Sequence, residues 1–232
     1  MLRGFVAALG LVLAPVAARA DVVGAAYVRP VDRYHHDILG ETPEWGALEL
    51  RLADGRRLRF VLPDTHIFED VAPRLADVDG DGAAEVIAVQ TSLTLGARLT
   101  VWDTGGLVAA TPYIGRSNRW LAPVGAADLD GDGKAEIAYV DRPHLARLLR
   151  IWRFEGRALV LAAEKAGLTN HRIGEAFITG GLRDCGGGPE MVTVNADWSR
   201  VMVSRFDGKA VVSRDAGPYR GMDSVRAVMG CR

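Results

Sequence analysis

The chain has 232 residues, two cysteines and a formal net charge of -1. That balance leaves no electrostatic footprint for nucleic acid, so a nucleic-acid partner is excluded. Beyond the N-terminus no apolar run is long enough to span a bilayer.

Residues 1–20 read as a secretory signal. Arg3 supplies the positive start, Phe5 to Val16 the apolar stretch, and Ala18-Arg19-Ala20 a small-residue cleavage site before Asp21. Removing this segment takes away two arginines and moves the charge to about -3. No Cys sits just after the cleavage site, so a lipid anchor is not expected. The expectation is an exported protein, placed in a periplasm or outside the cell, with no transmembrane segment after cleavage. Residues 21–232 suit one domain.

Along that domain the pattern is of short strands and tight turns. ALELRLADGRRLRFVL, near residues 47–62, is a strand, a Gly turn and a second strand. Hairpins of the same shape recur near 98–111, 148–163 and 201–214. Residues 77–85 read DVDGDGAAE and residues 128–136 read DLDGDGKAE, both fitting D-x-D-x-D-G-x-x-E. Each is followed by an apolar, β-branched run, Glu85-Val-Ile-Ala-Val-Gln and Glu136-Ile-Ala-Tyr-Val-Asp, which favours strands. Glu85 and Glu136 are 51 residues apart. A third copy, GGLRDCGGGPEMVTV, puts Glu190 another 54 residues on, with Cys and Gly where the inner aspartates stood. No calcium is expected in that third loop.

The D-x-D-x-D-G spacing puts oxygens at alternate loop positions. That is how a chain wraps a hard cation wanting six to eight oxygens at about 2.3–2.6 Å. Gly82 and Gly133 permit the reversal that joins early and late ligands. An EF-hand would need an acid at position 12 and flanking helices, but those positions hold Ala88 and Tyr139 between strands. What remains resembles the FG-GAP or VCBS repeat family, the calcium-loop repeats of integrin-α-like β-propellers. The resemblance implies ligands from Asp77, Asp79, Asp81 and Glu85 with the Ala83 carbonyl. In the second loop it implies Asp128, Asp130, Asp132 and Glu136 with the Lys134 carbonyl. The family more often ends the loop with Asp. Two structural calcium ions of modest affinity, about 10⁻⁴–10⁻³ M, are expected.

The fold class is therefore all-β, a small propeller of about four blades of four antiparallel strands. The inner strands of the first blade would come from residues 22–40, helped by the tail 222–230. A rival is an open partial propeller that closes by dimerising. Cys185 and Cys231 can pair and pin the C-terminus, or stay as two thiols.

The loops at the end of the blades opposite the calcium turns gather the remaining chemistry. They carry His35 and His36, then His66, then Asn118, Arg119 and Trp120. Asp141, Arg142, His144, Asn170, His171, Arg172, Asp197 and Trp198 follow. All five histidines fall in these loops. Such a ring can hold an anion through Arg or a sugar ring through Trp. The same arginines equally suit pairing with Asp141, Glu175 and Asp197 to brace the blades. No G-x-S-x-G, H-E-x-x-H or P-loop occurs. The functional expectation is a calcium-binding propeller that binds an unknown protein or a small anionic or sugar ligand. The alternative is a small periplasmic enzyme or ligand receptor using the His/Arg face.

Overall fold

In the computed structural model, which describes residues 20–232, strands dominate and the one helix among the described residues is short. The predicted signal sequence lies outside those residues except for Ala20. The first blade is β1 (Val22–Val31), β2 (Glu44–Leu52) and β3 (Arg57–Val61), with Val28 opposite Ala47 and Leu50 opposite Leu58. The second has a split inner strand, β4 (His66–Phe68) and β5 (Arg74–Ala76). Both halves pair with β6 (Glu85–Ser92), which is followed by β7 (Gly96–Asp103) and β8 (Gly106–Ala110). The third is β9 (Leu121–Ala127), β10 (Glu136–Asp141), β11 (Leu148–Glu155) and β12 (Ala158–Ala166). The fourth again splits its inner strand into β13 (Leu168–Thr169) and β14 (Gly181–Asp184). These pair with β15 (Pro189–Asn195), and β16 (Arg200–Phe206) and β17 (Val211–Pro218) complete the blade. Helix α1 (Met222–Met229) ends the chain.

The period-2 alternation of side chains stacks these blades in chain order. On β6, Val86 and Ala88 enter an apolar layer with Leu48 and Leu50 of the first blade. Ile87 and Val89 point the other way, into a layer with Ile137 and Tyr139 of the third. On β10, Ala138 and Val140 turn towards Met191 and Phe206 of the fourth. A strand covered on both faces reads as a continuous apolar run, and every residue of β6 and β10 is buried. Each fully buried Leu, Ile or Val in these layers stabilises by about 1.5–3 kcal/mol.

Two expectations are corrected at the ends of the stack. Residues 22–40 supply one strand, not two, because Ile38 and Leu39 leave the sheet and bury themselves in the layer between the second and third blades. The first blade accordingly has three strands. The tail 222–230 adds no strand to it. Val225 and Val228 lie three apart, on one side of a helix, and α1 covers the face of the fourth blade turned away from the third. There they meet Val192, Val201 and Val203, while Met202 and Phe206 of the same strand face the third blade. The outer face of the first blade is polar, with Arg57 and Arg59 both on Glu49 at 2.9 and 2.7 Å. First and fourth blades meet through loops at the axis, where the Gly174 N–H donates to the Ile38 carbonyl at 3.0 Å.

Candidate functional site

Two places in this frame carry concentrated chemistry, one at each end of the blades. At one end are the aspartate loops. Asp77 accepts from the Gly80 N–H at 2.7 Å and, through its second oxygen, from the Gly82 N–H at 3.0 Å. Those amides point inward only because Gly80 and Gly82 sit at φ 77° and 90°. Glu85 closes the loop by accepting from the Val78 N–H at 3.0 Å. The second loop repeats the pattern, with Asp128 on the amides of Gly131 and Gly133 at 2.8 and 3.0 Å and Glu136 on that of Leu129 at 2.9 Å.

In each loop three carboxylates, Asp77, Asp79 and Glu85 or Asp128, Asp130 and Glu136, place an oxygen within 4.8 Å of one another. An all-oxygen set at that spacing fits calcium. Asp81 and Asp132 stand outside these groups and accept from the amides of Ala83 and Lys134 at 2.8 and 2.9 Å.

The three related loops differ in what faces the closing glutamate. In the second blade Asp103 ends the neighbouring strand, with Arg157 3.8 Å from it, and among the described residues no salt bridge reaches Asp77, Asp79, Asp81 or Glu85. Burial first, then the charges of Asp79, Asp81 and Asp77, push the Glu85 carboxyl up. In the third blade the register sets Arg153 opposite Glu136. Arg153 donates to Glu136 at 2.9 Å and pairs with Asp130. Burial still raises Glu136, against that hydrogen bond. In the fourth blade Glu190 meets Arg183 at 2.6 Å, Arg205 at 2.8 Å and Arg214 at 3.5 Å. Burial works to raise this carboxyl, but the hydrogen bonds from Arg205 and Arg183 outweigh it and hold Glu190 below its usual range. Where the inner aspartates are missing, three arginines surround the closing glutamate.

At the other end lies a cavity of about 240 Å³ lined by His36, Asn118, Arg119, Trp120, Arg142 and His144, together with Ile38, Leu145 and Ile173. Sequence reasoning pointed to the first six and missed the three apolar residues, whose signal was a Leu or Ile directly after a polar loop residue. His36 Nδ1 sits 2.6 Å from buried Glu69, which also accepts from the Thr91 hydroxyl at 2.8 Å. Glu69 was not foreseen. Trp120 is buried, donating to the Glu69 carbonyl at 2.7 Å with its ring edge-on to His171 at 4.8 Å. His171 Nε2 donates to the Glu175 carbonyl at 2.8 Å, and its Nδ1 faces His144 Nε2 at 3.3 Å. Burial first, then His171, His36 and Arg147, push His144 down to about 4.

The other loop residues stand elsewhere. His35 is exposed and 3.1 Å from Asp32. His66 contacts Thr65 at 2.9 Å, and burial, then Arg98 and Arg33, depress its pKa. Asp141 is buried under Arg142 and Arg150, a bracing role. Asn170 is buried with its Nδ2 on the Ala122 carbonyl at 3.2 Å. Arg172 lies over the Trp198 ring at 4.1 Å, and Asp197 holds the Ser199 turn at 2.6 Å.

Residues 77–139 match the model of the FG-GAP-like repeat. No curated protein matches the chain. Among solved structures it is similar to the crystal structure of exotype rhamnogalacturonan lyase YesX, at 19% identity and a TM-score of 0.48. The match covers 80% of this chain and 43% of that one, so the chain spans less than half of that protein's length.

Proposed function

We propose that this chain, whose residues 77–139 form an FG-GAP-like repeat, is an exported calcium-stabilised β-propeller that works as a binding module. The observation that carries the calcium reading is the pair of loops, each bringing three carboxylates within 4.8 Å on glycine-shaped backbone. In loop 77–85 a bound calcium supplies the positive charge that the crowded acids otherwise lack among the described residues, and in loop 128–136 it adds to or replaces that of Arg153. The binding-module reading is supported by the opposite end, where loops of all four blades converge away from the metal turns. Export is supported by the N-terminal pattern of residues 1–20 and by the Cys185–Cys231 disulfide, a bond that persists in oxidising compartments. No helix of the described residues is long and apolar enough to cross a membrane.

The two loops are not equivalent in this proposal. Calcium enters loop 77–85 directly. In loop 128–136 it has to displace Arg153 from Glu136 and Asp130. Calorimetric titration of the oxidised protein is expected to show one calcium site and a second at least roughly tenfold weaker. Asp79→Ala removes the first site, and Arg153→Gln strengthens the second. A hundredfold excess of calcium over Kd stabilises by about 2.7 kcal/mol, raising Tm by about 5–10 °C for a chain of this size. Coincident melting curves in calcium and EDTA, with no heat of binding, would falsify the calcium reading.

A further inference from the structure

We propose that the loop-end cavity binds a small carboxylate with an apolar body, its carboxylate on Arg119 and its hydrocarbon part against Leu145 and Ile173. This deepens the binding-module reading and rests on it, but not on calcium.

Charge selects the head group. Both arginines line the cavity, and they differ in what holds them. Arg142 is held by Asp141 through two hydrogen bonds of 2.9 Å. The Arg119 guanidinium meets the neutral Asn118 carbonyl at 2.8 Å and, among the described residues, no carboxylate. A planar fork without its own anion is a receptor for one. Beside Arg119 the cavity is lined by His36 and His144. His171 carries its proton on Nε2, where it donates to the Glu175 carbonyl, so its Nδ1 accepts from His144 Nε2. Burial first, then His171, His36 and Arg147, oppose protonation of His144.

Shape and polarity select the body. Leu145 and Ile173 are 61% and 69% exposed, large apolar side chains at a mouth floored by buried Trp120 and Ile38. A polyhydroxylated sugar would leave them uncompensated, while an aromatic or short aliphatic chain removes them from water. At about 240 Å³ the cavity falls below the usual range of about 300–1,000 Å³ for drug-sized ligands, so the occupant is small.

The test is an NMR titration of the full oxidised protein with benzoate and with hexanoate. Benzyl alcohol, gluconate and zinc serve as comparisons, and calcium binding is measured in parallel. Benzoate or hexanoate is expected to give saturable shifts at His36, Trp120 and Ile173, with a roughly millimolar Kd. Benzyl alcohol, which lacks the anion, and gluconate, which lacks the apolar body, bind at least tenfold more weakly. Arg119→Ala loses tenfold or more in benzoate affinity, and Ile173→Ser loses severalfold, both with unchanged Tm and unchanged calcium heats. The proposal is overturned if neither carboxylate saturates, if gluconate or benzyl alcohol binds equally well, if Arg119→Ala binds benzoate as wild type does, or if zinc takes the site through His36 and His144. Loss of the calcium signal with benzoate binding intact would sink only the calcium reading. The converse would sink only this one.

Discussion

His144 and His171 face each other at 3.3 Å beneath the loop-end cavity, and the carbonyl behind His171 decides which nitrogens carry protons. The consequence is a stability slope with pH. His144 is pushed from 6.5 to about 4, mainly by burial, so the unfolded chain takes up this proton before the folded one does. The stability contributed by neutral His144 is full above pH 6.5 and is lost as pH falls towards about 4. His144→Phe should therefore lose less Tm than wild type between pH 7 and pH 4, the two curves running parallel above pH 6.5. Parallel curves over the whole range would show that the ring takes up its proton without resistance in the fold. At the same scale, the arginines at the closing glutamates explain why a degenerate third loop survives. Arg183 and Arg205 satisfy Glu190 with no ion required.

Helix α1 replaces a neighbouring blade. Its Val225 and Val228 bury the apolar side of β15 and β16 that would otherwise face water. The helix is only eight residues long, too short to persist alone. Two attachments hold it. Arg183 donates to the Val228 carbonyl, and Cys231 bonds to Cys185 in the turn between β14 and β15, with Cα atoms 5.8 Å apart. Closing a loop of 46 residues removes unfolded-state entropy equivalent to about 4 kcal/mol. Cys231→Ser is expected to lower Tm by on the order of 10 °C. It should raise hydrogen exchange first in β16 and β17, leaving both aspartate loops as they are. A loss spread evenly over all four blades would argue that the cross-link holds the whole stack rather than its last layer.

Across the whole molecule, four apolar layers run blade to blade and finish at the helix, while the loops of the first and fourth blades meet at the axis. Gly40 stands at that meeting with φ 61°, and a Cβ there would lie 2.6 Å from the Gly174 carbonyl oxygen. Any side chain adds both left-handed strain and a clash with backbone, together about 2–3 kcal/mol. Gly40→Ala should lower Tm by roughly 5–10 °C and weaken ligand binding at the cavity, since Ile38 and Ile173 flank this contact. Calcium heats should not change, because the aspartate loops sit at the other end of the blades. An unchanged Tm would mean that the two loops touch without bracing the arc.

The features legible in the chain are those written within a few residues. The D-x-D-x-D-G loops, the four Gly-turned hairpins and the buried strands after Glu85 and Glu136 follow from local spacing and two-residue alternation, and so do the blades they build. Partners that depend on register or on distant loops were not legible. Nothing near residue 136 announces that Arg153 will enter its loop; strand pairing between β10 and β11 does that. Nothing near His36 names Glu69, which arrives from the next blade. The tail was misjudged because an eight-residue amphipathic stretch reads as strand or helix until the surface it covers is known. The loop-end ring was readable as a collection of polar residues. Only the packed blades decided that His36, Arg119 and His144 share one cavity with Leu145 and Ile173, while Trp198 and Arg172 stack on each other away from it. Local conformational preference is set by neighbours in sequence, whereas a cavity is set by how far separated segments are held, and that requires the assembled core.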